Sequence, residues 1–513
     1  MVGCPLAMTD GCARGNVDRI RTLKEKTFIH FISNGTSWNS IDEGGHLQAS
    51  NEVGNTSHCN YCTLTGLSRD PQLAFTAGQF MTERPGGSDV SQTETSATPV
   101  HDAAGPPGSK YLLNGFKWFS SATDGEVALA LARTGDVVLG TRSLSLFLLP
   151  MRLPLVTGNT RTPLSILPRT NENNNGILVH RLKNKFGTHP VPTAELSLNG
   201  SKAYLVGPVN QGVKSIAPVL QLTRIHSSFG SVGFLSRALS IARSFARVRK
   251  IDAGTRTLDE VPLHVSTLSH VCVLYTALLH LNFSAVVLLG RLECGTASTA
   301  EGARFRLLNP TVKAFAAYHA CAGIEECMAA LGGQGYMEEN DLGRLLRDAM
   351  VEKIWEGTIN VLGLDLVRAV KNEQGAVGAW VQWAEGILAD APKNITPQSS
   401  VDVVETAVKK LPSIFATTVT SELLPRATLL LFGHTSSALS LLEHATWAYK
   451  TNEPEPETRS HLLVFTRWAE EFGLRALLED CERLATDVTR RTRDDQLIVY
   501  GRDGKSAWVA TKL

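Results

Sequence analysis

Met81-Thr82-Glu83-Arg84-Pro85-Gly86-Gly87-Ser88-Asp89 decides how the rest of this 513-residue chain is read. The apolar run AFTAGQF feeds into it, so a strand ends here in a Gly-rich loop. Backbone N–H groups and hydroxyls in such a loop can wrap a planar or phosphorylated ligand. Alone it would be an ordinary turn, so its neighbours carry the argument. From residue 75 to 207 the text is short alternating or apolar runs broken by Gly, Pro and Asn: KYLLNGFKWFS, EVALALART, SLSLFLLPM, ILVHRL, AELSLNG. These predict an antiparallel β domain over 67–211. After Gly212 the period changes. GFLSRALSIARSFARVRK, PLHVSTLSHVCVLYTALLHLNFSAVVLLGRLE and NPTVKAFAAYHACAGIEECMAALGG predict long antiparallel helices over 212–371. Gly332, Gly333 and Gly335 end one of them, and a turn at Trp355-Glu356-Gly357-Thr358 precedes a last helix at 359–370. Residues 372–513 read as a helical extension divided by the acidic linker NEPEPETRS.

Composition excludes several classes. Fifty Lys and Arg against 49 Asp and Glu leave no global charge to attract nucleic acid or an anionic membrane. Nine scattered Cys are too few for a disulfide scaffold and fit a reduced compartment. The first residues carry neither a secretory nor a mitochondrial import signal. The apolar run 271–290 is long enough for a bilayer, but His280 and Asn282 at its centre predict a helix buried in a bundle, with no membrane span. The chain ends Thr511-Lys512-Leu513, one residue away from the peroxisomal Ser-Lys-Leu address, which leaves cytoplasm and peroxisome both open.

Three further motifs accompany the first: Lys117-Trp118-Phe119-Ser120-Ser121 after a strand, Leu331-Gly332-Gly333-Gln334-Gly335-Tyr336 after a helix, and Ile354-Trp355-Glu356-Gly357-Thr358-Ile359-Asn360 behind Arg347-Asp348. In this order, on a β domain followed by a helix bundle, they resemble the acyl-CoA dehydrogenase flavoproteins, and within them the AidB-type branch. The resemblance covers residues 4–27 and about 67–370. It implies an α+β fold with an antiparallel β-barrel or sandwich middle domain, an all-α bundle and, by position only, the helical extension.

The resemblance also implies roles. Gln79, Met81, Thr82, Gly87 and Ser88 would contact FAD, with Thr82 and Ser88 as donors. Phe119, Ser120 and Ser121 would lie along the flavin face opposite the substrate, and Trp355, Gly357, Thr358 and Asn360 would line the flavin pocket. Arg249 with Gly332, Gly333 and Gly335 would reach the FAD of a neighbouring subunit in a homodimer or homotetramer. Glu356 matches the catalytic carboxylate and Arg224 a position near the active site. Desaturating an acyl-CoA needs a base for the α proton while a hydride leaves the β carbon, and burial raises a carboxylate's basicity. Gly357 would keep the backbone uncrowded where a thioester approaches. An electron-transfer flavoprotein or oxygen would take the electrons, placing the protein in fatty acid metabolism. No metal is implied: Cys59-x-x-Cys62 lacks a second pair at zinc spacing, and Cys321 and Cys327 fit a helix core.

Departures from the family pattern generate expectations of their own. Residues 1–26 read as a remnant preceding the β domain, with the family's helical N-terminal domain missing. Residues 27–66, rich in Asn, Ser, Gly and Thr, read as a disordered or foreign insertion, such as a translated intron. A chain of that kind is expected to be unstable or nearly inactive beside its full-length parent. Lys250-Ile251-Asp252-Ala253-Gly254 replaces the Phe-Gly usual after the position of Arg249, which weakens the intersubunit contact. Two alternatives stand beside the dehydrogenase: a DNA-associated protective flavoprotein, and a catalytically impaired fragment. Residues 372–513 hold 19 acidic and 15 basic residues, a net −4, and Arg490, Arg491 and Arg493 are followed at once by Asp494 and Asp495. Duplex binding needs the opposite balance, so nucleic acid is not an expected partner.

Overall fold

Alternation along KYLLNGFKWFSS turns Tyr111 and Leu113 inward and Asn114 outward, and makes one long strand of residues 110–121. The computed structural model describes residues 76–101, 105–153, 156–157, 160–161 and 175–501. The remnant 1–26, the insertion 27–66 with Cys59 and Cys62, and Thr511-Lys512-Leu513 lie outside the described residues. The chain divides into two compact units, residues 1–226 and 227–513.

The first unit carries β1 (Ala77–Phe80), β2 (Ser96–Pro99), β3 (Lys110–Ser121), β4 (Val127–Arg133), β5 (Leu144–Pro150), a separate two-stranded ladder of β6 (Val156–Thr157) and β7 (Thr160–Arg161), then β8 (Ile177–Leu182) and β9 (Thr193–Val206). The strands run in the order β1-β4-β2-β3-β9-β5, and β5 also pairs with β4, so β4, β2, β3, β9 and β5 close a circuit that β8 extends beside β9. The pairing is antiparallel as expected except at β1, which runs parallel to β4 in register Ala77 to Val127, and at the single parallel bridge between Ser96 and Arg133. Two intervening strands supply the long crossover that a parallel pair requires.

Val127 to Ala132 are all buried because β4 has apolar neighbours on both faces. Ala128, Ala130 and Ala132 face Phe80, Tyr111, Phe147 and Leu149, whereas Leu129 and Leu131 pack with Leu146, Leu148, Val206 and the helix residues Ile216 and Val219. An ion pair is sunk into this apolar setting. Lys117 Nζ, fully buried, donates to Glu83 Oε1 at 2.5 Å and to the Leu131 carbonyl at 2.8 Å. Glu83 Oε2 accepts the backbone N–H groups of Glu94 (2.6 Å) and Thr95 (3.2 Å). Burial alone would raise Glu83, but the Lys117 ammonium and these hydrogen bonds outweigh it and hold the carboxyl below its usual range.

The helices are α1 (Gly212–Val248), α2 (Pro262–Glu293), α3 (Thr299–Ala330), α4 (Leu342–Glu352), α5 (Ile359–Asn372), α6 (Ala376–Asp390), α7 (Gln398–Thr418), α8 (Leu424–Lys450), α9 (Glu455–Glu471), α10 (Leu474–Ala485) and α11 (Val488–Tyr500). Among the described residues α2 alone has the length and hydropathy to cross a membrane. It packs along α3, with Leu274, Leu278, Leu281 and Asn282 buried, as its central polar residues predict. Cys321 and Cys327 are core residues of α3. Helices beyond Asn372 pack on the bundle within the same unit: α8 is buried along most of its length, and its His434 stacks on Trp468 of α9 at 4.3 Å, both beside Phe315 of α3. The stretch read as an acidic linker is shorter than expected. Pro454 caps α9, and Glu455 and Glu457 form its first turn, where carboxylates oppose the positive end of the helix dipole.

A buried ion pair is costly to break and cheaper to remove whole. Glu83→Ala is expected to lower unfolding stability by about 3–5 kcal/mol, and Glu83→Gln/Lys117→Met by less than the sum of its single changes, measured by urea denaturation. Because the folded carboxyl is held low, its contribution is present above the ordinary carboxylate range and is lost as pH falls through it. Wild type should therefore lose more stability on acidification than the double variant.

Candidate active site

In the first unit the Glu83–Lys117 pair ties the first two motifs together. Trp118 N–H also donates to the Thr82 carbonyl at 3.0 Å, and Glu83 and Gly86 exchange backbone hydrogen bonds at 3.1 and 3.2 Å, which folds 83–86 into a tight turn. Gly87 and Ser88 follow it into solvent, and Thr82 lies half-buried beside Gly87. Met81 packs against the core beneath the loop.

Beyond Lys117 the pairing of β3 with β9 slips by one residue before Ser120. Such a bulge re-aims side chains. Phe119 emerges half exposed, while Trp118 is held by two cations: Arg84 Cζ lies 5.1 Å and Lys183 Nζ 3.2 Å from its ring centroid. Lys183 is itself fixed by Glu195 at 2.6 Å. Ser121 Oγ is matched with Thr193 Oγ1 at 2.8 Å. Among the described residues, the buried polar atoms without a hydrogen-bond partner include Gln79 Nε2 and Ser120 Oγ. A buried polar group left unmade costs about 1–3 kcal/mol. Both residues belong to the set that the sequence assigned to the flavin, so orphaned hydrogen-bonding groups beside an exposed aromatic ring fit a bound FAD.

In the second unit α4 ends at Glu352 and six residues, 353–358, lead to α5. Glu356 occupies the left-handed region at φ 56° and Gly357 follows at φ 102°. The turn itself adds a reason for glycine. A Cβ at Gly357 would meet Leu362 Cδ2 at 3.0 Å on a backbone that other residues rarely adopt, so conformation and the packing of α5 require it. Lys313, an α3 residue absent from the sequence reading, holds the turn. Fully buried, it donates through Nζ to the Trp355 carbonyl and, at 2.7 Å, to the Gly357 carbonyl, the two flanking Glu356. Charge-assisted hydrogen bonds contribute about 1.5–3 kcal/mol each, against about 1–2 kcal/mol for a non-glycine residue in the left-handed region. The clamp therefore wins, and the half-buried Glu356 carboxylate is presented by backbone fixed in advance.

Several residues expected at a flavin already have partners within the chain. The Trp355 indole N–H donates to Glu352 Oε2 at 2.5 Å. Thr358 caps α5, accepting from the Val361 N–H at 3.5 Å, and Asn360 accepts from Arg426 at 3.4 Å. Arg224 is half-buried in the first unit's part of α1. Arg249 is exposed after α1, where the departure noted above forms a hairpin of β10 (Lys250–Ile251) and β11 (Arg256–Thr257). Gly332 and Gly333 are exposed in the turn after α3, while Gly335 is buried because a Cβ there would overlap the Met328 carbonyl. In α11, Arg490 and Arg491 pair with Asp494 and Asp495 at 3.8 and 3.2 Å.

Residues 78–201 match the description "Acyl-CoA dehydrogenase, middle domain" and residues 210–371 "Acyl-CoA dehydrogenase, C-terminal domain". The solved structure of ACDH-11 from Caenorhabditis elegans in complex with C11-CoA superposes with a TM-score of 0.78 at 32% identity, over 99% of this chain and 76% of that one. This chain belongs to the acyl-CoA dehydrogenase family. The similarity runs to acyl-CoA dehydrogenase family member 11 of C. elegans, 37% identical over 81% of this chain and 59% of the relative, and to the putative acyl-CoA dehydrogenase AidB of Escherichia coli, 30% identical over 58% and 49%. The chain thus spans between half and three-fifths of the length of these curated relatives. An acyl-CoA dehydrogenase from Bacillus anthracis solved with FAD shares the fold at a TM-score of 0.65 and 18% identity.

Lys313→Met keeps the volume but strands two buried carbonyls. It is expected to lower stability by about 2–4 kcal/mol, read by urea denaturation, with a larger loss than Lys353→Met at the half-buried neighbour of the same turn.

Proposed function

We propose that this protein is an FAD-dependent acyl-CoA dehydrogenase in which Glu356 removes the α proton of the acyl thioester. The observation that carries the reading is the Glu356 turn. A carboxylate stands in the sparsely populated left-handed region between two carbonyls gripped by Lys313, a local backbone cost that the clamp offsets and that points to a chemical role. Family membership supplies the reaction class.

Gln79, Thr82, Ser88 and Ser120 offer hydrogen-bonding groups to the FAD in the first unit, and Phe119 offers its ring face. In the second unit, Thr358 and Asn360, which the family resemblance assigns to the nucleotide part, keep whatever donor capacity their present partners leave. Bound FAD supplies the acceptor for the hydride that leaves the β carbon. Glu356 takes the α proton onto its carboxylate as that hydride departs, and its fixed backbone avoids reorganisation at that moment. Arg249, Gly332 and Gly333, exposed in the single chain, are read with the buried Gly335 as reaching a neighbouring subunit in a homodimer or homotetramer. An electron-transfer flavoprotein or oxygen would be the acceptor of the electrons. The Asp partners of Arg490 and Arg491 and the tail's net −4 support this reading over duplex binding.

Anaerobic mixing of the flavin-loaded protein with a panel of acyl-CoAs is expected to bleach the flavin absorbance. Glu356→Gln, which keeps shape and removes the base, should slow bleaching by at least about a hundredfold while FAD content is unchanged. Flavin that stays yellow with every acyl-CoA would remove the reading.

A further inference from the structure

A second carboxylate lies one helical turn before Glu356. Glu352, the last residue of α4, is 6% exposed and receives two hydrogen bonds on Oε2: from Ser227 Oγ of α1 and from the Trp355 indole, each at 2.5 Å. The Trp355 bond spans the turn. Its carbonyl is one of the two that Lys313 grips, so Glu352 holds the side chain and Lys313 the backbone of the residue directly before Glu356. On α1, Gly230 faces the other oxygen, where a Cβ would stand 3.2 Å from Oε1.

We propose that Glu352 is a positioning residue for the α-proton base: through Trp355 it fixes the turn that presents Glu356, and by gaining or losing its own proton it changes how strongly Glu356 binds one. The inference rests on the dehydrogenase reading of Glu356. Burial pushes Glu352 up to about 7, with the negative charge of Glu356 adding to the rise, while Ser227, Trp355 and the Lys313 ammonium oppose it. Cys321 of α3, with its own partner Lys353 close by, also faces the carboxyl and stays a thiol because burial raises it. Coupling between two charges is reciprocal. Once Glu352 ionises above neutrality, it raises the proton affinity of Glu356 and makes it the stronger base; below neutrality a neutral Glu352 leaves Glu356 weaker. No proton or electron beyond the substrate's own enters the step: the α proton ends on Glu356, and Glu352 exchanges only with solvent.

The test uses two readouts. In wild type, the rate of flavin bleaching at saturating acyl-CoA should rise about three- to tenfold from pH 6 to pH 8, with its inflection near 7. Glu352→Gln, which keeps the shape and an acceptor for the indole, should remain at the low-pH rate throughout with KM little changed. Ser227→Ala, which removes a hydrogen bond to the ionised form, should move the inflection upward, and it serves if Glu352→Gln does not fold. Independently of flavin or substrate, protein labelled with nitrogen-15 in tryptophan should show a Trp355 indole resonance, assigned by Trp355→Phe, that titrates with a midpoint near 7 and becomes flat in Glu352→Gln. A flat indole resonance in wild type, or a pH profile unchanged by Glu352→Gln, overturns the proposal. If no acyl-CoA bleaches the wild-type flavin, the reading of the activity fails, while the indole titration still decides for or against Glu352.

Discussion

A buried ammonium that grips two backbone carbonyls is the constraint on which the Glu356 turn depends. Without Lys313, the reversal between α4 and α5 would have to hold Glu356 in the left-handed region at its own expense, and the chain would relax toward an ordinary helix end. With it, the glutamate is fixed between two anchored peptide groups, Gly357 fits where a Cβ would strike Leu362, and Thr358 starts the next helix.

The first unit solves a comparable problem with a comparable device. Lys117, equally buried, joins the Glu83 turn to the strand that bulges at Trp118 and Phe119. This holds the two motifs side by side: Glu83 and Lys117 satisfy each other, and neither could stay charged in that apolar setting alone. The groups left for a cofactor are then the ones the scaffold does not use, the Gln79 amide, the Ser120 hydroxyl and the Phe119 ring.

Strand and helix periods made the β domain and the bundle legible, and four short motifs made the family legible. What the sequence concealed was partnership. Lys313 reads as one polar residue in the helix text NPTVKAFAA, and Glu352 as one more charge near a helix end; only the fold brings them to the residues beside Glu356. A lone Lys among the buried residues at the centre of α3, and a carboxylate four residues before the motif glutamate, were the signals available. The parallel placement of β1 was equally hidden, because alternation gives a strand's faces but not its direction. At NEPEPETRS, composition suggested a linker, whereas the prolines and glutamates open α9.

The account turns on α-proton removal by a carboxylate held in place beforehand. Deuterium wash-in measures that step apart from the oxidation: flavin-loaded protein is incubated in D₂O with an acyl-CoA analogue whose β position cannot give up hydride, and deuterium at the α carbon is counted by mass spectrometry. The account predicts steady α-deuteration by wild type and none above background with Glu356→Gln. Equal deuteration by both proteins would contradict it and place the base elsewhere.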